Sequence, residues 1–237
     1  FAPVDEAALA DVPEQFRPSS GQWVGFAARS TVLVYNPDLI AEADLPASML
    51  DLANPEWKGR VGFSPGGADF QAIASAVMKL RGADAARTWL QGLTDGGAVY
   101  RGNGAVMQAV NQGEIPLGII YHYYWYKDQA EAGANSDKVK LHYFGNQDPG
   151  AFVSVSGAGV LASSKHPKEA QELVAYLTSA DGQRRLAEST ALEYAVANGA
   201  ASADVLPPLD TLQAPTIDPG SLNGPDVIAL MQDVGLL

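Results

Sequence analysis

The chain contains no cysteine. Disulfides, thiolate metal sites and thiol nucleophiles are therefore excluded, and the redox compartment is left open. Basic residues are scarce: 15 Lys and Arg stand against 27 Asp and Glu, a net charge of −12 at pH 7. So acidic a balance argues against sequence-independent nucleic-acid binding, because a duplex needs basic side chains to neutralise its phosphates. Local fields in a cleft still allow a cation or a small anion to bind. Long apolar runs are missing too. The stretches 117–121 and 157–162 are strand-length, far short of the roughly 18 residues of a membrane span. No signal peptide is visible, and the chain opens Phe1-Ala2-Pro3-Val4 rather than with Met, so the expectation is that residues were removed from its front. The three histidines, His122, His142 and His166, have no metal-ligand spacing. There is no HExxH site, P-loop or Gly-x-Ser-x-Gly elbow. Ser154 and Ser156 can be combined with a histidine on paper, as serines can in most chains.

What is present is an ordinary globular composition. The chain has 237 residues, 47% hydrophobic and 18% charged, enough for one large domain or two modest ones. A short helix is expected near 6–12, then a strand at 31–35 stopping at Asn36-Pro37. Pro55 to Gly59 suits a single helical turn, and a strand at 60–64 runs into Pro65-Gly66-Gly67, where the glycines let the backbone turn sharply. Apolar residues at helical spacing mark helices over 71–81 and 83–93. Asn103 is placed to cap a helix holding Val106, Met107 and Val110. A buried strand at 115–121 leads into a helix over 123–134. Strands follow at 139–144, 152–154 and 157–162, then helices from Pro167, over 180–188 and from Pro225. Strands alternating with helices predict an α/β class with a largely parallel sheet. Asp148, just before Pro149-Gly150, reads as a turn and cap residue.

The most informative stretch is Tyr121-His122-Tyr123-Tyr124-Trp125-Tyr126, five aromatics and a histidine directly after an apolar strand. Ligands in open α/β sheets bind at the carboxyl ends of strands, and this string sits at one. Neighbouring helical residues point about 100° apart, yet in a first turn both phenols can bend toward one point in front of the helix. Core aromatics with locally satisfied hydroxyls and a binding site are both compatible with the string. Phenolate is a hard oxygen donor once a strongly charged cation displaces its proton, so ferric iron is its natural guest. A helix N-terminus and an arginine would attract an anion completing the metal's shell.

Tyr123-Tyr124-Trp125-Tyr126, Gln147-Asp148-Pro149-Gly150-Ala151 and Ser156-Gly157-Ala158 together resemble the ferric-ion-binding periplasmic proteins of bacterial iron ABC transporters. Arg29-Ser30, the Pro55–Gly59 segment, Asn103 with Gln108-Ala109-Val110, and Glu193-Tyr194 agree in order and spacing. The resemblance covers essentially the whole chain. It implies a two-lobed periplasmic-binding-protein fold of type II-like α/β architecture with an incomplete first lobe. The expected divisions are 1–27 as a remnant of lobe 1 and connection, 28–154 as the ligand-binding lobe 2, 155–204 returning to lobe 1, and 205–237 packing on lobe 2. The missing front would include a His and a Glu that many members contribute to iron.

Carried over by resemblance, Tyr123 and Tyr124 match the iron-ligating pair. Asn103 matches a side chain holding the synergistic anion, carbonate or phosphate. The backbone at Gly67, Ala68 and Asp69 matches the anion loop, and Arg29 an arginine some members turn toward carbonate. Two departures bear on the anion: Gly67 stands where a Ser is often seen, and Tyr121 where an Asn is common. His122 is a lesser candidate, since its ring should point away from its neighbours.

The resemblance therefore implies a non-enzymatic binder of Fe3+ with a synergistic anion, outside the cytoplasmic membrane, periplasmic or at the cell surface and lipid-anchored in some full-length forms. Its partner would be an ABC transporter permease, with no nucleic acid involved. A shortened chain with uncovered sheet edges is also expected to self-associate as a dimer or else to be disordered over 155–204, and by itself to bind iron weakly or not at all. Rival readings are a binder of another small solute (an oxyanion, phosphonate or organic cation) on the same fold, an effector-sensing domain of a transcription regulator, and, more distantly, a hydrolase.

Overall fold

The computed structural model describes residues 1–237. In chain order its regular elements are α1 (Glu6–Ala10), β1 (Val24–Tyr35), β2 (Val61–Phe63), α2 (Ala68–Arg81), α3 (Ala83–Gly96), β3 (Ala98–Val99), α4 (Asn103–Asn111), β4 (Leu117–Tyr121), α5 (His122–Glu131), β5 (Lys140–His142), β6 (Val153–Ala158), α6 (Pro167–Thr178), α7 (Ala180–Glu188), β7 (Tyr194–Ala195) and α8 (Gly224–Asp233). They fall into two compact units. The first comprises Phe1–Arg29, Val153–Thr211 and Thr216–Leu222; the second comprises Ser30–Phe152, Leu212–Pro215 and Asn223–Leu237.

In the second unit the sheet order is β3-β2-β4-β1-β5. β2 runs parallel to β3 and β4, whereas β1 is antiparallel to both β4 and β5, with Thr31 opposite Tyr121 and Leu33 opposite His142. The sheet is thus mixed, which corrects the expectation of a largely parallel one. Helical crossovers through α2, α3 and α4 join β2, β3 and β4, and such crossovers return the chain in the same direction. β1 reaches the sheet through the long, mostly irregular 36–60 connection, so nothing forces it to run parallel.

Alternation along β1 and β4 divides the core between the two faces of this sheet. Leu33, Tyr35, Leu117, Ile119 and Tyr121 join Ile73 and Val77 of α2, Trp89, Leu90 and Leu93 of α3, and Val227 and Met231 of α8. Val32, Val34 and Ile120 face the other way, against Val106, Met107 and Val110 of α4. Fully buried aliphatic side chains such as Leu33 and Leu117 each contribute roughly 1.5–3 kcal/mol. A Cβ on Gly118 would overlap Val106, so this glycine lets α4 lie close on the sheet.

In the first unit, Ala27 and Ala28 of β1 pair antiparallel with Ala195 and Tyr194 of β7, and β6 also pairs with β1. Gln183 of α7, buried, stitches this unit together. Its Nε2 donates to the carbonyls of Phe26 (2.7 Å) and Leu177 (2.8 Å), and its Oε1 accepts from the amides of Val196 (2.7 Å) and Ala197 (3.0 Å). The early part of β1, Val24 to Ser30, escaped the strand pattern because Gly25, Ala27, Ala28 and Ser30 have little β preference; the partners supply the ladder. The expected strand at 152–154 continues to Ala158 as β6, which takes in only the start of the expected strand at 157–162; Val160 makes an isolated bridge to Ala2. Asp148 does cap its turn, accepting from Gly150 N at 2.7 Å, and it also accepts from Ser48 Oγ (2.5 Å) and Met49 N (3.0 Å).

Candidate functional site

Helices α2, α4 and α5 of the second unit begin without a side-chain cap, as α3 also does. The residues before α2, α4 and α5 are Gly67, Gly102 and Tyr121, and none has a side chain accepting from its helix. First-turn amides left without an intrahelical acceptor carry partial positive charge, which favours negative groups in front of them. The first turns of these helices carry Asp69 on α2, Asn103 on α4, and Tyr123 and Tyr124 on α5.

Hydrogen bonds bring the three together. Asn103 Nδ2 donates to Asp69 Oδ2 at 2.8 Å, and the Tyr124 hydroxyl donates to the same oxygen at 3.3 Å. The Tyr121 hydroxyl donates to the main-chain carbonyl of Asp69 at 3.3 Å. The rings of Tyr123 and Tyr124 stack with centroids 4.4 Å apart and planes 28° from parallel. Two consecutive helical residues thus turn their rings to the same side, as a first turn allows and a mid-helix position does not. Both rings pack on the core with their edges partly exposed.

Asn103 is itself the first residue of α4, and the position before it is Gly102, with φ 105°. It is therefore not the cap that its sequence position suggests. Its amide, only 7% exposed, turns instead to a carboxylate 34 residues earlier. The Gly67 and Ala68 backbone leads directly into Asp69, and a Cβ on Gly66 or Gly67 would meet nothing within 4 Å. Those glycines are not required by crowding; they leave the approach to α2 conformationally free.

His122 is fully buried, and its Nδ1 accepts from the Ser30 amide at 3.1 Å. That nitrogen's lone pair is committed to the backbone of β1, which fixes the ring within the fold. Arg29 belongs to the first unit. There its guanidinium donates to Glu193 Oε2 at 3.3 Å and to Ser156 Oγ. A carboxylate of the same unit thus lies beside the charge expected to meet an anion. Sequence reasoning gave Asp69 a backbone role in the anion loop; its carboxylate here accepts from both Asn103 and Tyr124. An acidic residue in the first turn of a helix that no side chain caps is the local signal that was available.

The arrangement places two phenol side chains, one carboxylate and one amide donor within a single cluster at three helix N-termini. Such a donor set suits a hard, highly charged cation whose positive charge is matched by oxygens the protein already supplies.

Several known proteins are similar to this chain. The chain is 54% identical over 237 residues to the Fe(3+)-binding periplasmic protein of Serratia marcescens, covering all of this chain and 70% of that protein. It is 40% identical over 195 residues to the major ferric iron-binding protein of Neisseria meningitidis, covering 82% of this chain; it spans 59% of that relative's length. Among solved structures, iron-bound HitA from Pseudomonas aeruginosa matches with a TM-score of 0.92 and 42% identity, over 99% of this chain and 76% of HitA. Apo FutA2 from Synechocystis matches with a TM-score of 0.89 and 30% identity, over 100% of this chain and 78% of FutA2. The family model for the bacterial extracellular solute-binding proteins matches residues 1–218. The chain belongs to that family of solute-binding proteins.

Proposed function

We propose that this chain binds ferric iron outside the cytoplasmic membrane and passes it to the permease of an ABC transporter. A solute-binding protein captures and releases its cargo without making or breaking covalent bonds in it, and this reading assigns no reaction to the chain. The observation that carries the proposal is the stacked Tyr123–Tyr124 pair beside the Asp69 carboxylate at the uncapped start of α5. The names of the Serratia and Neisseria relatives support ferric iron as the cargo.

In this reading Tyr123 and Tyr124 bind the ion as phenolates. A trivalent cation stabilises phenolate far better than water does, so each phenol gives up its proton on binding. The positive ends of α2, α4 and α5 help to hold the resulting negative charge. Two phenolates and the Asp69 carboxylate together balance the charge of Fe3+. Asp69 is therefore placed to do what an external anion would otherwise do, with Asn103 holding one of its oxygens. A second reading keeps the synergistic anion, carbonate or phosphate, held by Asn103 and the 67–69 backbone. It is favoured by the three uncapped helix starts, which attract anions of any source.

Ferric nitrilotriacetate added to the protein should produce a visible phenolate-to-iron charge-transfer band. Repeating the titration with added phosphate or bicarbonate separates the two readings. A band and affinity independent of the anion favour Asp69 as the charge partner; a band that appears only with anion favours the external one. No band under either condition would refute the ferric assignment.

A further inference from the structure

We propose that Tyr121 is a positioning residue for this site, holding Asp69 so that its carboxylate faces Asn103 and Tyr124. The inference rests on the ferric reading above and adds a residue to it.

Tyr121 is the last residue of β4 and directly precedes α5. It is fully buried, and its backbone is held in the sheet opposite Thr31 of β1. The side chain therefore has a rigid base. Its hydroxyl donates to the Asp69 carbonyl at 3.3 Å, and its ring stacks on Tyr123 with centroids 6.5 Å apart and planes 18° from parallel. One side chain thus links the first turn of α2 to the ring of a proposed iron ligand.

Asp69 needs such a tether because its approach is loose. Gly66 and Gly67 precede α2 with open space where side chains would be, and no side chain caps the helix. A carboxylate's direction follows from its own peptide plane and a single χ1 rotamer. Fixing the Asp69 carbonyl restricts that plane, and the Asn103 bond, which survives loss of the Tyr124 proton, then restricts the rotamer. Without the Tyr121 hydroxyl, the Gly66-Gly67 segment lets the first turn of α2 shift. The site would then lose its built-in negative partner while both phenols remained in place.

The test is Tyr121→Phe in the whole chain, which removes one hydroxyl and keeps the buried ring. Ferric nitrilotriacetate is titrated in buffer free of phosphate and bicarbonate, then with inorganic phosphate. Loss of the hydroxyl's bond to the Asp69 carbonyl predicts roughly a threefold to tenfold loss of ferric affinity without added phosphate or bicarbonate, largely recovered by phosphate as an external partner. Asp69→Ala and the double variant complete a cycle. If Tyr121 acts through Asp69, removing its hydroxyl from Asp69→Ala changes ferric affinity no further. Equal losses in both backgrounds, or a lowered melting temperature with ferric affinity and phosphate response unchanged, would overturn the positioning role. If the unaltered chain shows no ferric band, the ferric reading fails and the role of Tyr121 fails with it. A normal band in the unaltered chain with an unaffected Tyr121→Phe variant refutes the role of Tyr121 alone.

Discussion

The Asn103 side-chain amide donates to the Asp69 carboxylate at 2.8 Å, joining the first residue of α4 to the first turn of α2. Because Tyr124 donates to the same carboxylate oxygen at 3.3 Å, these three side chains form one unit of charge and hydrogen bonding. Its parts come from three helices, so a change in any one of them should be felt by the others.

Replacing both Tyr123 and Tyr124 by Phe should abolish the ferric charge-transfer band. The rings stay, and with them the packing against the core, so circular dichroism and the melting temperature should change little. The Tyr124 hydroxyl bond to Asp69 contributes about 1 kcal/mol or less at a partly exposed position. A band persisting in the double variant would disprove the two ligands.

Asn103→Ala should weaken ferric retention about tenfold to a hundredfold, the equivalent of one charge-assisted hydrogen bond of about 1.5–3 kcal/mol. The variant leaves the Asp69 carboxylate without its amide partner and free to turn. Competition against a ferric chelator of known strength measures the loss, and retention equal to the parent's would remove Asn103 from the site.

For Arg29, the bonds to Glu193 and Ser156 predict a stability effect in the first unit. Arg29→Ala strands a partly buried carboxylate, so unfolding by urea should occur at lower concentration, with a loss of roughly 1.5–3 kcal/mol. Arg29→Ala combined with Glu193→Ala should recover part of that loss. If Arg29→Ala instead left stability unchanged and weakened ferric retention only at low anion concentration, the guanidinium would belong to an anion site.

Asp128 sets an acid-sensitive contribution at the far end of α5. Burial by itself raises its pKa, but hydrogen bonds from Ser136 Oγ and from the side chain and backbone of Asn135 outweigh it and bring the pKa below the ordinary carboxylate value. A depressed folded value gives stability that is fully present above the unfolded pKa of about 3.9 and is lost as pH falls through the folded value. Asp128→Asn should therefore be less stable than the parent at pH 7, with the difference shrinking as pH falls below about 4. A constant difference across that range would show that the charge of Asp128 contributes nothing.

Much of this protein was written locally. The continuous apolar run over 117–121 and the helical spacing of Ile73, Val77, Trp89, Leu90 and Leu93 place β4, α2 and α3, because burial on both faces of a strand or on one face of a helix is a property of a single segment. The aromatic string after β4 likewise marks the start of α5, since a strand's carboxyl end and the adjoining first turn are neighbours in sequence. What only the tertiary structure decided is which groups share charge. Asp69 meets Asn103 across 34 positions and Tyr124 across 55, and Arg29 meets Glu193 across 164. No local pattern encodes such pairs. They exist because α2, α4 and α5 are packed against one sheet with their N-termini together, and because β7 is laddered to the first half of β1. The same holds for that half of β1, where residues with little strand preference are extended because their hydrogen-bond partners arrive from the far end of the chain.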